Sequence, residues 1–198
     1  MKWILGIGVA AITLVGVVIL ISATRSDDAP AAESVSHVHG LGIDPADGVL
    51  HVATHNGLYR IPDDGPVERI SEDRHDFMGF TVAGPGRFLA SGHPGIGTDA
   101  FQELDRPLFG LIESIDGGRT WDPVSLSSDV DFHGLEAVHG NVFGFDSTSG
   151  RLLVSTDGGT TCNERSTKSI SDLAVDPADE DHIVASSPEG LVESVDGG

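Results

Sequence analysis

Cysteine is almost absent from this 198-residue chain: Cys162 is the only one. No disulfide can form within the chain, so packing must hold the fold together. Basic residues are also scarce, 11 Lys and Arg against 31 Asp and Glu. Lys2 and Arg25 account for two of the 11, so the remainder sets nine bases against all 31 acids, a balance of −22. Such a body is repelled by nucleic acid and by anionic headgroups, which argues against a nucleic-acid partner. The same charge favours solubility and attracts cations. Beyond residue 25 no stretch carries sustained helical periodicity. Tyrosine occurs once, at Tyr59.

Long apolar runs are missing too, with one exception. From Trp3 to Ala23 there are 21 residues without a charge. As a helix this run would extend about 32 Å, enough to cross a bilayer core of about 30 Å. A cleaved signal peptide is the rival, but its apolar region usually spans only about 7–15 residues. The run is therefore expected to be an uncleaved transmembrane anchor over residues 1–25. The acidic pair Asp27 and Asp28 follows Arg25 after Ser26, so the body is expected on the extracytoplasmic side. Residues 26–36 are small, polar and proline-containing, which reads as a flexible tether.

The remaining residues, 37–198, repeat. Residues 37–65 and 169–198 share a Leu-Gly/Ala-Ile/Val-Asp-Pro-Ala-Asp core, a β-rich run, then Gly-Leu and an Asp/Gly turn. A third unit starts at Asp131, and a second, from Asp76, carries the insertion Gly92–Pro107. Within the third unit Leu135–Val138, Val142–Phe145 and Leu152–Ser155 are short apolar runs of strand length. The units are 41 residues apart from Asp116 to Asp157 and 39 from Asp157 to Asp196, the period of four-stranded propeller blades.

The turn has a sharp signature. Ser114, Asp116, Gly118, Thr120 and Trp121 fit S-x-D-x-G-x-T-W, and Ser155, Asp157, Gly159 and Thr161 fit it with Cys162 in the Trp position. Ser194, Asp196 and Gly198 begin a third copy. An Asp side chain accepts backbone N–H groups to close such a turn, and Gly permits positive φ. On these residues the chain resembles the BNR/Asp-box propellers, a group that includes bacterial sialidases, sortilin-type receptors, a photosystem assembly factor and bacterial proteins labelled glycosyl hydrolase. The resemblance implies an all-β propeller of four-stranded antiparallel blades, with about four blades present and the last one incomplete. It implies too that the boxes are structural, on outer turns between third and fourth strands. Because the last copy stops at Gly198, the chain is expected to be the N-terminal part of a longer propeller.

The same resemblance places the first strand of each blade along a central channel. Aligning those strands puts His37, Asp76 and Asp131 in one column and His39, Met78 and His133 in the next, with Ser169 and Ser171 in the fourth unit. Residues two apart share a face of a strand, so imidazole, thioether and carboxylate groups would converge from three blades. His75 adds a nitrogen near the same end. This set, His37, His39, Met78 and His133 with channel-lining Asp76 and Asp131, suits copper through His and Met, or zinc or another divalent ion through His and Asp. His51, His55, His93, His139 and His182 fit no shared column and are expected on surfaces or loops.

The rival is glycoside hydrolysis of the exo-sialidase type. Tyr59-Arg60-Ile61-Pro62 looks like the family's arginine motif, but it occupies a third-strand position where the family's motif lies on a first strand. Other glycosidases need two carboxylates, for which Asp76, Asp131, Glu136 and Asp172 are available. A third class is a non-enzymatic platform for a glycan or protein ligand. Within it the insertion Gly92–Pro107, with Phe101 among Gly, Pro and acids, is the candidate specificity loop.

Overall fold

A computed structural model describes Val35 and residues 37–70, 73–95 and 105–198. The expected transmembrane anchor, nearly all of the tether and the centre of the insertion, with Phe101, lie outside the described residues. Every regular element among the described residues is a β-strand. Blade 1 consists of β1 (Val38–Ile43), β2 (Leu50–Thr54), β3 (Gly57–Ile61) and β4 (Glu68–Arg69). Blade 2 is β5 (Asp76–Gly84), β6 (Arg87–His93), β7 (Leu111–Ser114) and β8 (Asp122–Ser125). Blade 3 is β9 (Phe132–Val138), β10 (Asn141–Asp146), β11 (Arg151–Ser155) and β12 (Asn163–Ser166). The fourth sheet has three strands, β13 (Asp172–Asp176), β14 (Asp179–Ser187) and β15 (Gly190–Ser194). All pairings are antiparallel and sequential, so each sheet is a meander.

First strands lie side by side, β1 against β5, β5 against β9 and β9 against β13, the arrangement of propeller blades. The apolar core accordingly sits between blades. One cluster joins Ala53 and Leu58 of blade 1 to Phe77, Phe80 and Phe88 of blade 2. The next joins Leu89 and Leu111 to Phe132, Leu135 and Val142 of blade 3, and the last joins Phe143 and Val154 to Leu173 and Ile183 of the fourth sheet. A blade with neighbours on both faces buries both sides of its middle strands. Phe88-Leu89-Ala90-Ser91 and Val142-Phe143-Gly144-Phe145 are therefore buried without interruption. Period two, expected from the sequence, survives mainly on first strands such as β13. On blades 1 and 4 the faces without a described neighbour expose Leu41, Ile43 and Leu191.

The S-x-D-x-G-x-T turns lie between third and fourth strands and share one hydrogen-bond pattern. The Asp116 carboxylate accepts the backbone N–H of Arg119 and Thr120 and the hydroxyls of Ser114 and Thr120. Ser114 in turn accepts the N–H of Gly118, at 2.8 Å. Asp157 repeats this with Ser155 and Thr161, and Ser194 repeats the first half with Asp196 and Gly198. Gly118 has a second reason to be glycine besides its φ of 87°. A Cβ there would stand 2.3 Å from Leu58 of the preceding blade, and at Gly159 a Cβ would stand 2.3 Å from Leu111. Each turn thus sits flush on the third strand of the blade before it.

Burial raises the Asp116 pKa, but the hydrogen bonds from Thr120, Ser114 and Arg119 outweigh it and hold the carboxyl at about 2. The folded pKa lies below the ordinary value of 3.8, so this stabilisation is present above that value and is lost as pH falls toward about 2. Asp116→Asn is expected to cost about 1–3 kcal/mol at neutral pH. In urea titrations the gap between wild type and variant should narrow below about pH 4. A gap independent of pH would show that the ionised carboxylate does not hold the turn.

Candidate functional site

Three inner strands carry a β-bulge at the same repeat position. Val38 pairs with Thr54 and Gly40 with Ala53, which leaves His39 unpaired between them. Met78 is skipped likewise between Phe77 and Gly79, and His133 between Phe132 and Gly134. A bulge bends the strand and re-aims its side chain, so simple alternation does not govern this column. The following glycines let first strands approach closely: a Cβ on Gly40 would lie 2.7 Å from the Phe80 Cβ.

An array of imidazoles and carboxylates runs along these strand ends through blades 1 to 3. His39 Nε2 lies 3.0 Å from His55 Nε2, and His55 Nδ1 meets Asp76 Oδ1 at 2.5 Å. His93 stands between two carboxylates, Nδ1 at 3.7 Å from Asp76 and Nε2 at 3.5 Å from Asp131. His133 Nε2 is 3.0 Å from the same Asp131 Oδ2. The His37 ring packs tilted against His55, 5.3 Å between centroids, from a residue whose φ of 53° is left-handed. The Asp131 side chain is 8% exposed, and its Oδ1 is buried without a hydrogen-bond partner.

The sequence columns are therefore brought together in part. His39, Asp76, Asp131 and His133 join the array and His37 lies at its margin, whereas the Met78 thioether contributes no polar contact to it. As the side chains stand, no three His, Cys, Asp or Glu groups among the described residues are arranged to hold a metal ion. His75 is turned away, packed edge-on against Phe109 and Phe77, and burial lowers its pKa. His55 lies in the turn after β2, as expected of a loop residue, whereas His93 is the last residue of β6; each links carboxylates or imidazoles of adjacent blades. His93 stands at the far end of a second strand and His55 just past one, each beside the start of the next blade's first strand. Aligning the ends of second strands as well as first strands would have found them. His51 is also buried, its ring on Phe88. Burial, then the charge of His55, lowers the pKa of His39, which favours its neutral form.

Beside the array the inner strands line a groove of about 500 Å³. Its walls offer Leu41, Phe80 and Leu135 together with His39, Glu136 and Asp172. Glu136 Oε2 accepts the Val175 N–H of the next blade at 2.8 Å. Burial is the main reason its pKa is raised, and the Asp172 carboxylate adds to the rise. Tyr59 and Arg60 lie on the third strand β3, away from the groove; Tyr59 is buried and Arg60 pairs with Asp47 at 3.0 Å.

Sheets that each meander outward from their own inner strand, with their core between them, define a β-propeller. No protein-family model and no curated protein matches the sequence. Among solved structures the chain is similar to an ancestral GH74 enzyme, with 14% identity and a TM-score of 0.60 over 84% of this chain and 24% of that one. It is similar also to a gluconolactonase from Xanthomonas campestris, with 17% identity and a TM-score of 0.57 over 81% of this chain and 59% of that one. A third is YCF48 bound to a D1 peptide, with 14% identity and a TM-score of 0.51 over 77% of this chain and 49% of that one. The chain spans only 24% to 59% of these proteins' lengths, and at such identities the likeness shows the fold.

Proposed function

We propose that this chain is a binding platform of the Asp-box propeller type, tethered to a membrane by residues 1–25 and displayed on the extracytoplasmic side, with its ligand in the channel-side groove. The observation that carries the reading is the composition of that groove. Leu41, Phe80 and Leu135 offer apolar area, and His39, Glu136 and Asp172 offer hydrogen bonds beside them. A few convergent polar groups on an apolar wall suit a glycan or a polypeptide segment. Similarity to a GH74 enzyme and to a propeller that binds a peptide is compatible with either ligand. The repeated Ser-Asp-Gly turns support the Asp-box assignment.

The test is binding of the purified chain to an array of glycans and peptides. The expected result is retention of one class, with affinity lowered roughly tenfold by His39→Ala or Asp172→Asn, the worth of one hydrogen bond to a charged or polar group. Affinity unchanged in both variants would remove the groove from the reading.

A second reading, glycoside hydrolysis, is favoured by the raised pKa of Glu136 beside Asp172. A carboxyl that burial favours in its protonated form can serve as the acid of such a reaction. Release of sugar from a retained glycan, abolished by Glu136→Gln, would make the platform an enzyme. Retention without release would leave it a binder.

A further inference from the structure

The acids of the inner strands divide into two groups. Asp76 and Asp131 are met by imidazoles, His55 and His93 on the first, His93 and His133 on the second. Glu136 of β9 and Asp172 of β13 are met by backbone instead. Glu136 Oε2 accepts the Val175 N–H at 2.8 Å, and Asp172 Oδ1 accepts the Leu173 N–H at 2.9 Å. Burial and the Asp172 carboxylate raise the Glu136 pKa; the Val175 N–H opposes them, and no basic side chain does. Both carboxyls line the groove, and no Lys or Arg among the described residues lines it with them. Asp172 also departs from the repeat. Its aligned positions in blades 1 to 3 are Gly40, Gly79 and Gly134, so the fourth sheet places an exposed carboxylate where the others carry no side chain. On the opposite wall Val38 and Leu41 of β1 are 48% and 62% exposed.

We propose that the groove binds a basic polypeptide segment, with a Lys or Arg side chain on Glu136 and Asp172 and a neighbouring apolar side chain on Val38 and Leu41. The inference rests on the groove being the ligand site and names the class of ligand. An ammonium or guanidinium supplies the charged donors that these two carboxyls lack. The half-buried setting of Glu136 makes that attraction stronger than it would be in water. Cationic and apolar groups in close succession are a property of polypeptide. A neutral glycan brings no cation, and an acidic one would meet two carboxylates and an acidic body that repels it. The linkage has a definite sign. A bound cation favours ionised Glu136, so affinity rises as pH rises through the raised pKa of that group. His39 and His133 are the other titratable groups on the groove wall. Protonation of either would repel the same cation, so their effect on affinity runs in the same direction.

The experiment is fluorescence anisotropy of the full chain with labelled octapeptides that alternate Leu with Lys, with Gln or with Glu, and with a labelled hexasaccharide of glucose. The Lys peptide is expected to bind near neutral pH and to weaken at least about fivefold toward pH 5, through Glu136 and the histidines. Asp172→Asn and Glu136→Gln should each lower its affinity roughly tenfold, the loss of one charge-assisted hydrogen bond. Glu136→Gln should also flatten the pH dependence. Glu164→Gln removes the same charge from an exposed position on β12 and should bind as wild type does. Circular dichroism checks that every variant is folded. Equal losses in Glu164→Gln and Asp172→Asn would show diffuse attraction to an acidic surface and overturn the proposal. So would the Gln peptide or the hexasaccharide binding as tightly as the Lys peptide. If Asp172→Asn still weakened that binding, the groove would remain the ligand site and only its basic partner would be lost. Binding of none of the probes would overturn the inference, and the wider array of glycans and peptides would then decide the groove itself.

Discussion

Replacing Phe132 by Ala is expected to lower the unfolding free energy by about 3–5 kcal/mol, the range for a large aromatic removed from a core. Phe132 opens β9, is 1% exposed, and belongs to the cluster that joins blades 2 and 3. Its ring lies over Gly144: a Cβ on that glycine would be 2.6 Å from the ring atoms. The space left by the ring is bordered by backbone on that side, so little can collapse into it. The same residue ties its N–H to Ser91 Oγ at 3.0 Å, across the two blades, and stands between Asp131 and His133. Loss of the ring should therefore loosen both the blade interface and the array. Urea unfolding gives the comparison, with Leu191→Ala as reference. Leu191 is 81% exposed, and its loss should change stability by no more than about 0.5 kcal/mol. A Phe132→Ala effect below about 1 kcal/mol would show that the blades do not depend on this contact.

Gly79→Ala tests the other side of the same interface. Gly79 follows the bulge at Met78, and a Cβ there would stand 2.5 Å from the Phe132 carbonyl oxygen and 3.2 Å from the Leu135 Cβ. The nearer obstacle is backbone and cannot swing aside as a side chain does. The first strands of blades 2 and 3 would have to move apart along their length, at a cost of about 2–3 kcal/mol or more. Gly140→Ala separates this clash from conformational strain. Gly140 has a φ of 81°, and a Cβ added there would meet nothing within 4 Å. Only the left-handed backbone opposes that substitution, at about 1–2 kcal/mol. A Gly79 variant no less stable than the Gly140 variant would mean that the first strands are free to spread.

Much of this arrangement was legible in the residues. The spacing of Asp116, Asp157 and Asp196 gave the register of the sheets, because each turn is a local device: its Ser, Asp, Gly and Thr bond within five residues of one another. The third-strand position of Tyr59 and Arg60 could be read for the same reason. The strand pairing within a blade is also local, since each strand pairs with the next in sequence. The candidate site was only half legible. Its first-strand members, His39, Asp76, Asp131 and His133, occur at repeat positions and align. His55 and His93 do not align with them, because they reach across a blade boundary from the turn after β2 and from the end of β6.

The sequence by itself determined the repeat, the turns that bound it and the all-β meander, since all of these rest on contacts between neighbours in the chain. It determined too that an acidic body free of disulfides must depend on its core. The tertiary structure decided where that core lies, between blades, and therefore why the middle strands are buried on both faces. It decided as well that the bulges at His39, Met78 and His133 override the alternation that the columns assumed. And it set Asp131 beside His93 and His133, a meeting across a blade boundary that no local pattern encodes because it depends on how two sheets pack.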